Sequence, residues 1–424
     1  MRIKVLLAAG LLLAACTAPG TFSRRDEALL DKVERQTLEY FTALAEPNTG
    51  MARERAEDGN GNIVTTGGTG FGIMAIIAGA ERGWLTREDA NRRIGRIVRS
   101  LGSLPRFHGA WAHWYDGDSG EVFSFSEYDD GGDLVETAFL VQGLLAARQW
   151  TSDTLLRESC DRLWKEVEWD WYTRGSDTLY WHWSPRWEWK MNHAIRGYDE
   201  TLITYVLAAS SPTHPVGRQC YEASYKTSSY YYNGRSYYGI PLKLGMELYG
   251  GPLFFTHYSF LGLDPRGLCD GYADYFVQGR NHALIQMAYA REKGRPRGLW
   301  GFTSSDDALA GYSGHYPGTP DENGTVSPTA AVSSIAYVPK ESLKCMRSLL
   351  RDRRVWGQCG FYDAVNYTLP DSMQVVQHYL AIDQGPQVAM IENARSGLLW
   401  SLFMSAPEVQ EGLSELGFYY TDNQ

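Results

Sequence analysis

YDDGGDLVETAFLVQGLLAARQW, residues 128–150, places Asp129, Asp130, Asp133 and Glu136 at the entrance of a helix that is otherwise almost entirely apolar. Leu134, Val135, Ala138, Phe139, Leu140, Val141, Leu144 and Leu145 run round its whole circumference, so it is a helix buried on most sides. Gly131 and Gly132 let the backbone turn sharply into it, and Asp133 and Glu136, three residues apart, share a face. Acids at a helix entrance offset its dipole by about 0.3–1 kcal/mol each, and capping of this kind suffices for Asp129 and Asp130. Glu136 lies beyond the first turn with apolar neighbours on both sides. A carboxylate there needs a partner or a chemical task.

Working outward, segments of the same all-round apolar kind recur at 70–80, 200–209, 281–290, 327–336 and 386–404, which makes six with 133–149. Between them lie amphipathic, charged helices at 24–45, 86–101, 151–168 and 340–352. Buried helices alternating with a more polar outer set predict an all-α (α/α)6 toroid, an inner ring shielded by an outer one. An α-solenoid would need a repeat period, and the sequence has none. No Ser/Pro run or charge block marks a linker, so residues 26–424 read as one domain after a tether at 17–25.

If the inner helices run parallel, their N-termini meet at one face, where N–H groups and positive dipole ends converge. The loops that lead there are rich in aromatic residues: Trp111, His113, Trp114, Tyr115, Trp181, Trp183, Trp187 and Trp189. Aromatic faces suit the C–H faces of pyranose rings, with polar groups between them to bond hydroxyls, so a carbohydrate is the expected ligand. Packing of some of these rings in the core or rim is the alternative. The run SYYYNGRSYYGIPLKLG, residues 229–245, reads as an edge strand or a hairpin turning at Asn233-Gly234.

Glycosidic cleavage needs one carboxyl held protonated and another ionised, and burial raises a carboxyl pKa enough to retain the proton. Glu200 opens an apolar helix in GYDETLITYVL and is the candidate acid, with a first-turn capping role as the alternative. The base could come from Asp129, Asp133 and Glu136 or from Asp383, placed before the last inner helix. Glu392 has Arg395 three residues on and reads as a structural ion pair. His193, His257, His282, His315 and His378 fall in no tight metal spacing, so neither a metal nor another cofactor is expected. GTGFG at 68–72 has no P-loop lysine and is a weak phosphate signal, and no GxSxG elbow is present.

Residues 1–15 carry Arg2 and Lys4 followed by an apolar run too short to span a bilayer, which reads as an export signal. Leu13-Ala14-Ala15-Cys16 resembles a bacterial lipobox, implying a lipidated Cys16, a mature chain anchored rather than spanning, and an outer-membrane location facing the periplasm or the surface. Loss of the two basic residues takes the formal charge from −10 to −12, which disfavours nucleic acid and anionic lipid as partners. The remaining cysteines, Cys160, Cys220, Cys269, Cys345 and Cys359, form no CxxC pair; Cys345 and Cys359 could bridge, leaving at least one thiol free.

GTGFGIMAIIAGAERGWLTRE, RFHGAWAHW, DDGGDLVETAFLVQGLLAARQ, GPLFFTHYSFLGLDPRG, YADYFVQGRNHALIQ and AIDQGPQVAMIENARSGLLW occur in this order. Together they resemble the bacterial glucoamylase-like lipoproteins of glycoside hydrolase family 144. The resemblance implies an (α/α)6 barrel without a metal, and inverting hydrolysis of β-1,2-glucan to sophorose and short sophoro-oligosaccharides. Its acidic pattern falls on Asp129, Asp133 and Glu136, and its general acid on Glu200 within NHAIRGYDETL, where Asn192, His193 and Tyr198 are candidate substrate contacts. The expected partner is a neutral β-glucan bound by a monomer, with loops 106–130 and 304–323 deciding between endo and exo action. Two other classes stay open. A non-catalytic glycan-capturing lipoprotein would keep the aromatics but not need the acids, and a polysaccharide lyase would want a basic cleft, the opposite of this charge.

Overall fold

The glycines of TGGTGFG are buried inside a helix, not in a phosphate loop. Gly70 faces the backbone of the neighbouring helix, where an added Cβ would lie 2.4 Å from the carbonyl oxygen of Phe139. Reciprocally, a Cβ at Gly143 would lie 2.3 Å from the Gly70 carbonyl, so the glycines set how closely the two helices approach. The structure is a computed structural model that describes residues 22–56, 62–227 and 229–421. The export signal at 1–15, Cys16 and tether residues 17–21 lie outside the described residues.

In chain order the helices are α1 Arg24–Thr42, α2 Thr66–Glu81, α3 Arg87–Ser103, α4 Leu134–Trp150, α5 Thr154–Lys165, α6 Leu202–Ser210 and α7 Arg218–Cys220. There follow α8 Phe254–His257, α9 Tyr275–Glu292, α10 Pro328–Ser333, α11 Pro339–Leu349, α12 Ala381–Arg395, α13 Leu398–Met404 and α14 Pro407–Leu416. A π-helical turn Tyr221–Lys226 extends α7, and 3-10 turns Tyr258–Phe260 and Ser334–Ala336 extend α8 and α10. Helix α2 packs along α4 and α12, α4 continues to α6, α6 meets Tyr258–Phe260, and α10 returns to α12. A hydrogen bond at 3.0 Å between His257 Nε2 and Ser334 Oγ joins α8 to the α10 extension and closes the inner ring. Helices α1, α3, α5, α7, α9 and α11 shield it, which is the (α/α)6 toroid.

The fourth inner element differs from the sequence expectation. Residues 281–290 belong to α9, whose Val277, Arg280 and Arg291 are exposed while Gln278, His282 and Gln286 are buried, as on a helix with one solvent face. The inner position is filled by the short stretch 254–260, with Thr256, His257, Tyr258, Ser259 and Phe260 all buried. The sixth inner helix begins earlier than expected, at Ala381, and breaks at Gly397, whose φ of 70° ends it.

Short ladders of two or three strands decorate the loops. Ile63–Thr65 pairs with Trp114–Asp116, Gly132–Asp133 with His182–Trp183, and Arg55–Ala56 with Tyr379–Leu380. The tyrosine-rich run is a hairpin, Tyr232–Tyr237 with Ile240–Leu244. It turns at Tyr238-Gly239, both at positive φ (56° and 76°), not at Asn233-Gly234. Cys345 and Cys359 do not bridge: all five cysteines from Cys160 to Cys359 are free and buried, with Cys345 Sγ against the Trp300 carbonyl and Cys359 beside Tyr379. No helix of the described residues is long and apolar enough to cross a membrane.

Candidate active site

The N-termini of α2, α4 and α12 converge: a Cβ on Gly67 would lie 2.6 Å from Glu136 Oε2, and one on Gly68 would lie 2.6 Å from Ala381 Cβ. Asp133 is the cap of α4, accepting the N–H groups of Val135 at 3.0 Å and Glu136 at 2.8 Å. Asp129 and Asp130 therefore do not cap the helix; its orphan donors are already satisfied by Asp133. The second oxygen of Asp133 accepts from the Trp181 indole at 3.1 Å and lies 3.1 Å from His113 Nδ1. Burial works against the Asp133 charge, but the bond and charge of His113, then the Glu136 N–H and His182, hold its pKa below the usual carboxylate range.

Glu136 is buried and accepts the Gly67 N–H at 2.7 Å, with His113 Nε2 3.9 Å from its other oxygen. Burial raises its pKa, and the nearby His113 opposes the rise. Burial likewise opposes a proton on His113, yet Glu136, Asp133 and Asp129 outweigh it and push the imidazole up to about 9. His113 is thus the cation that lets three acids share one pocket. Asp129 lies 3.9 Å from His113 Nδ1 and 3.4 Å from His182 Nε2, and burial followed by the Asp133 charge pushes it up to about 7. His113, Asp129 and Asp133 bring ligand-type atoms within 4.8 Å of one another, a set that could hold a metal ion.

Glu200 stands in the turn just before α6. Its Oε2 is buried without a hydrogen-bond partner. Burial, then Asp199, Glu136 and Asp133, hold its carboxyl well above the usual range, so it keeps its proton. Asp383 lies inside the first turn of α12, not ahead of the helix. Burial pushes it up to about 7, and a hydrogen bond with Asp363 pulls the other way. Asp363 N–H donates to the His378 carbonyl, and its Oδ2 accepts the N–H of Asp306 at 3.0 Å. Asp306 in turn receives both Arg55 Nη1 at 2.8 Å and His378 Nδ1 at 2.9 Å. Tyr258 is within electrostatic reach of both Asp383 and Glu200.

The aromatic expectations divide. Trp111 is wholly buried, its indole N–H donating to the Leu101 carbonyl and its face under Arg106, so it is core and not a sugar platform. Tyr115 is equally buried, and Tyr198 is 5% exposed with its ring beside Tyr275 and its hydroxyl without a hydrogen-bond partner. Asn192 is exposed and engaged by Arg174, and Trp183 packs on Phe107 and His108. His113, Trp114 and Trp181 remain at the acid cluster, with His193 stacked on Trp181 at 5.0 Å. Phe125, missed from the sequence, is 48% exposed and stacks on His113 at 4.3 Å. The alternation of aromatic and polar residues in VFSFS was its one signal. Asp363, Asp306 and Arg55 were also missed. Glu392 is structural as expected, but its partner is Arg82 at 2.6 Å, while Arg395 binds Glu27, Asp31 and Glu34.

An α/α toroid whose inner N-termini gather a protonated carboxyl within electrostatic reach of other acids has the architecture and the acid chemistry of a glycoside hydrolase. Residues 192–407 match the Glycoamylase family, described as "Putative glucoamylase", and residues 32–132 match a family described as "Protein of unknown function (DUF3131)". The chain belongs to the Glycoamylase family. It is 41% identical over 428 residues to an exo beta-1,2-glucooligosaccharide sophorohydrolase (non-reducing end) of Parabacteroides distasonis, covering 93% of this chain and 58% of that relative. The chain therefore spans little more than half of that protein. The endo-beta-1,2-glucanase of Chitinophaga pinensis, whose structure is solved as a sophorotriose and glucose complex, is 46% identical with a TM-score of 0.89, over 94% of this chain and 99% of the other. An endo-beta-1,2-glucanase from Talaromyces funiculosus shares the fold alone, at 10% identity and a TM-score of 0.69 over 92% of this chain and 89% of the other.

Proposed function

We propose that the protein hydrolyses β-1,2-glucan to sophorose and short sophoro-oligosaccharides with inversion. The observation that carries this reading is Glu200, a carboxyl kept protonated by burial, with an unpartnered oxygen and other acids around it. Glu200 gives its proton to the glycosidic oxygen as the C1–O bond breaks. Asp383 takes a proton from the water whose oxygen bonds C1, and both groups re-equilibrate with solvent. Asp133, Glu136 and His113 form a charge-balanced wall that positions the sugar, with Trp181 and Phe125 as its aromatic faces. Asp129, which also has a buried oxygen that accepts no hydrogen bond, is the second candidate base.

The relatives support the linkage, since one is named for exo and another for endo action on β-1,2-glucans. Loops 106–130 and 304–323 are the segments we assign to choosing between the two modes. Cys16 in LAAC supports a lipid anchor in the cell envelope, outer membrane included, which mass spectrometry of the N-terminal peptide tests; the monomeric state expected of the domain is tested by light scattering.

The test is incubation of the chain lacking residues 1–16 with linear β-1,2-glucan, following reducing ends, product sizes and the anomer first released, beside Glu200→Gln, Asp383→Asn and Asp129→Asn. Sophorose or a short ladder from wild type and almost none from Glu200→Gln supports the assignment. Full activity in Glu200→Gln removes it as the acid. Binding without cleavage favours a capture protein, and cleavage of a different glucan discards the linkage.

A further inference from the structure

Asp363 is wholly buried and belongs to none of the inner helices. It is held from both sides, its N–H on the His378 carbonyl at 3.1 Å and its Oδ2 on the Asp306 N–H at 3.0 Å. Its Oδ1 and the Oδ2 of Asp383 are both buried and meet no N–H or hydroxyl donor, while the Gln384 side-chain N–H on the Phe361 carbonyl at 3.0 Å holds the two segments together and brings the carboxyls within hydrogen-bonding reach of each other. Two carboxylates cannot bond without a proton between them. The nearby cation, Arg55, is engaged by Glu54 at 2.7 Å and Asp306 at 2.8 Å, so it does not neutralise the pair. The remaining charged and titratable groups around it are Asp306 with His378 on it, the buried phenol of Tyr258, and the phenol of Tyr312, a residue 45% exposed.

We propose that Asp363 is a positioning residue: a buried carboxylic acid that keeps its proton, donates it as a hydrogen bond to Asp383, and so aims the lone pair with which Asp383 receives the proton of the attacking water. This rests on Asp383 being the base. Before the step the pair holds one proton and one negative charge; afterwards it holds two protons and none, and solvent restores it. Asp363 itself exchanges no bond with substrate.

Asparagine fits the same place, with its carbonyl on the Asp306 N–H and its NH2 toward Asp383; alanine does not supply the donor. We would record kcat and KM against pH for wild type, Asp363→Asn, Asp363→Ala and Asp383→Asn, with thermal melts. Loss of the donor leaves burial to raise Asp383 further, so the acid limb of kcat moves to higher pH in Asp363→Ala. At about pH 6 its kcat falls at least about tenfold with KM little changed, and Asp363→Asn restores most of it. An unmoved acid limb in folded Asp363→Ala, or a change in KM alone, overturns the proposal. If Asp363→Ala does not fold, infrared difference spectra decide: wild type minus Asp363→Asn shows a protonated carboxyl band at about pH 8, and its absence overturns the proposal. Asp383→Asn separates the two readings. Near-complete loss there with an unmoved limb in Asp363→Ala refutes Asp363 alone, whereas an active Asp383→Asn refutes the base and this inference with it.

Discussion

Glu136 accepts the backbone N–H of Gly67 at 2.7 Å, tying the first turn of α4 to the first turn of α2 at the point where the acids gather. A Cβ at Gly67 would lie 2.6 Å from that carboxylate oxygen and 3.0 Å from the Phe139 ring. Gly67→Ala is expected to destabilise by about 1–3 kcal/mol through overpacking and to displace Glu136. Thermal melts and kcat/KM check this together, and an unchanged melt with full activity contradicts it.

Arg55 reaches across the loops to Asp306, whose side chain is 2% exposed. Arg55→Ala leaves that carboxylate buried with His378 as its remaining partner. The expected loss is about 3 kcal/mol of stability, at the low end for a broken buried pair because Arg55 is part-exposed. Urea denaturation measures it, and a loss under about 1 kcal/mol would show that Asp306 does not depend on Arg55.

Two pH dependences follow from the raised groups. Asp383, pushed up to about 7, must be ionised to accept a proton, so kcat falls as pH drops below about 7. Stability moves the other way. His113 is held at about 9 in the fold against its ordinary 6.5, so its contribution is full below about 6.5 and is lost as pH rises through about 9. Melts of His113→Gln should lack the wild-type decline between these values; an identical decline would place its origin elsewhere.

Trp181 and Trp111 should separate binding from folding. Trp181→Ala removes the indole donor to Asp133 and the ring against His193, and at about 0.5–1.5 kcal/mol for an aromatic contact KM should rise about three- to tenfold. Trp111→Ala empties a core site and should lower the melting temperature without a specific effect on KM. The reverse pattern would restore Trp111 as a substrate contact.

A metal at His113, Asp129 and Asp133 would need the imidazole unprotonated, whereas these acids favour its cation. Dialysis against a chelator is therefore expected to leave hydrolysis unchanged. Lost activity restored by a divalent cation would reverse that assignment.

The ring was legible in the sequence because α2, α4 and α6 are apolar on all sides, which leaves a soluble chain few ways to bury them. The fourth inner position was not. Residues 254–260 make one α-helical turn and one 3-10 turn, too short for periodicity to register, while the longer α9 beside them drew the assignment. The acids that open inner helices were found by their place beside apolar runs. Asp306 and Asp363 were missed since each sits on or beside a two-stranded ladder, and only the closed fold brings them to Asp383. Trp111 was misplaced for the converse reason: its loop reads as rim, but the ladder of Ala110–Trp111 with Arg106–Phe107 turns the indole inward.

The free, buried thiols of Cys160, Cys220, Cys269, Cys345 and Cys359 have a practical consequence. Among the described residues the fold takes nothing from covalent cross-links, so closing the ring requires no oxidant. Each sulfhydryl becomes accessible to an aqueous alkylating reagent only when the packing around it opens. The five therefore act as built-in reporters, distributed around the ring, of which sector loosens first.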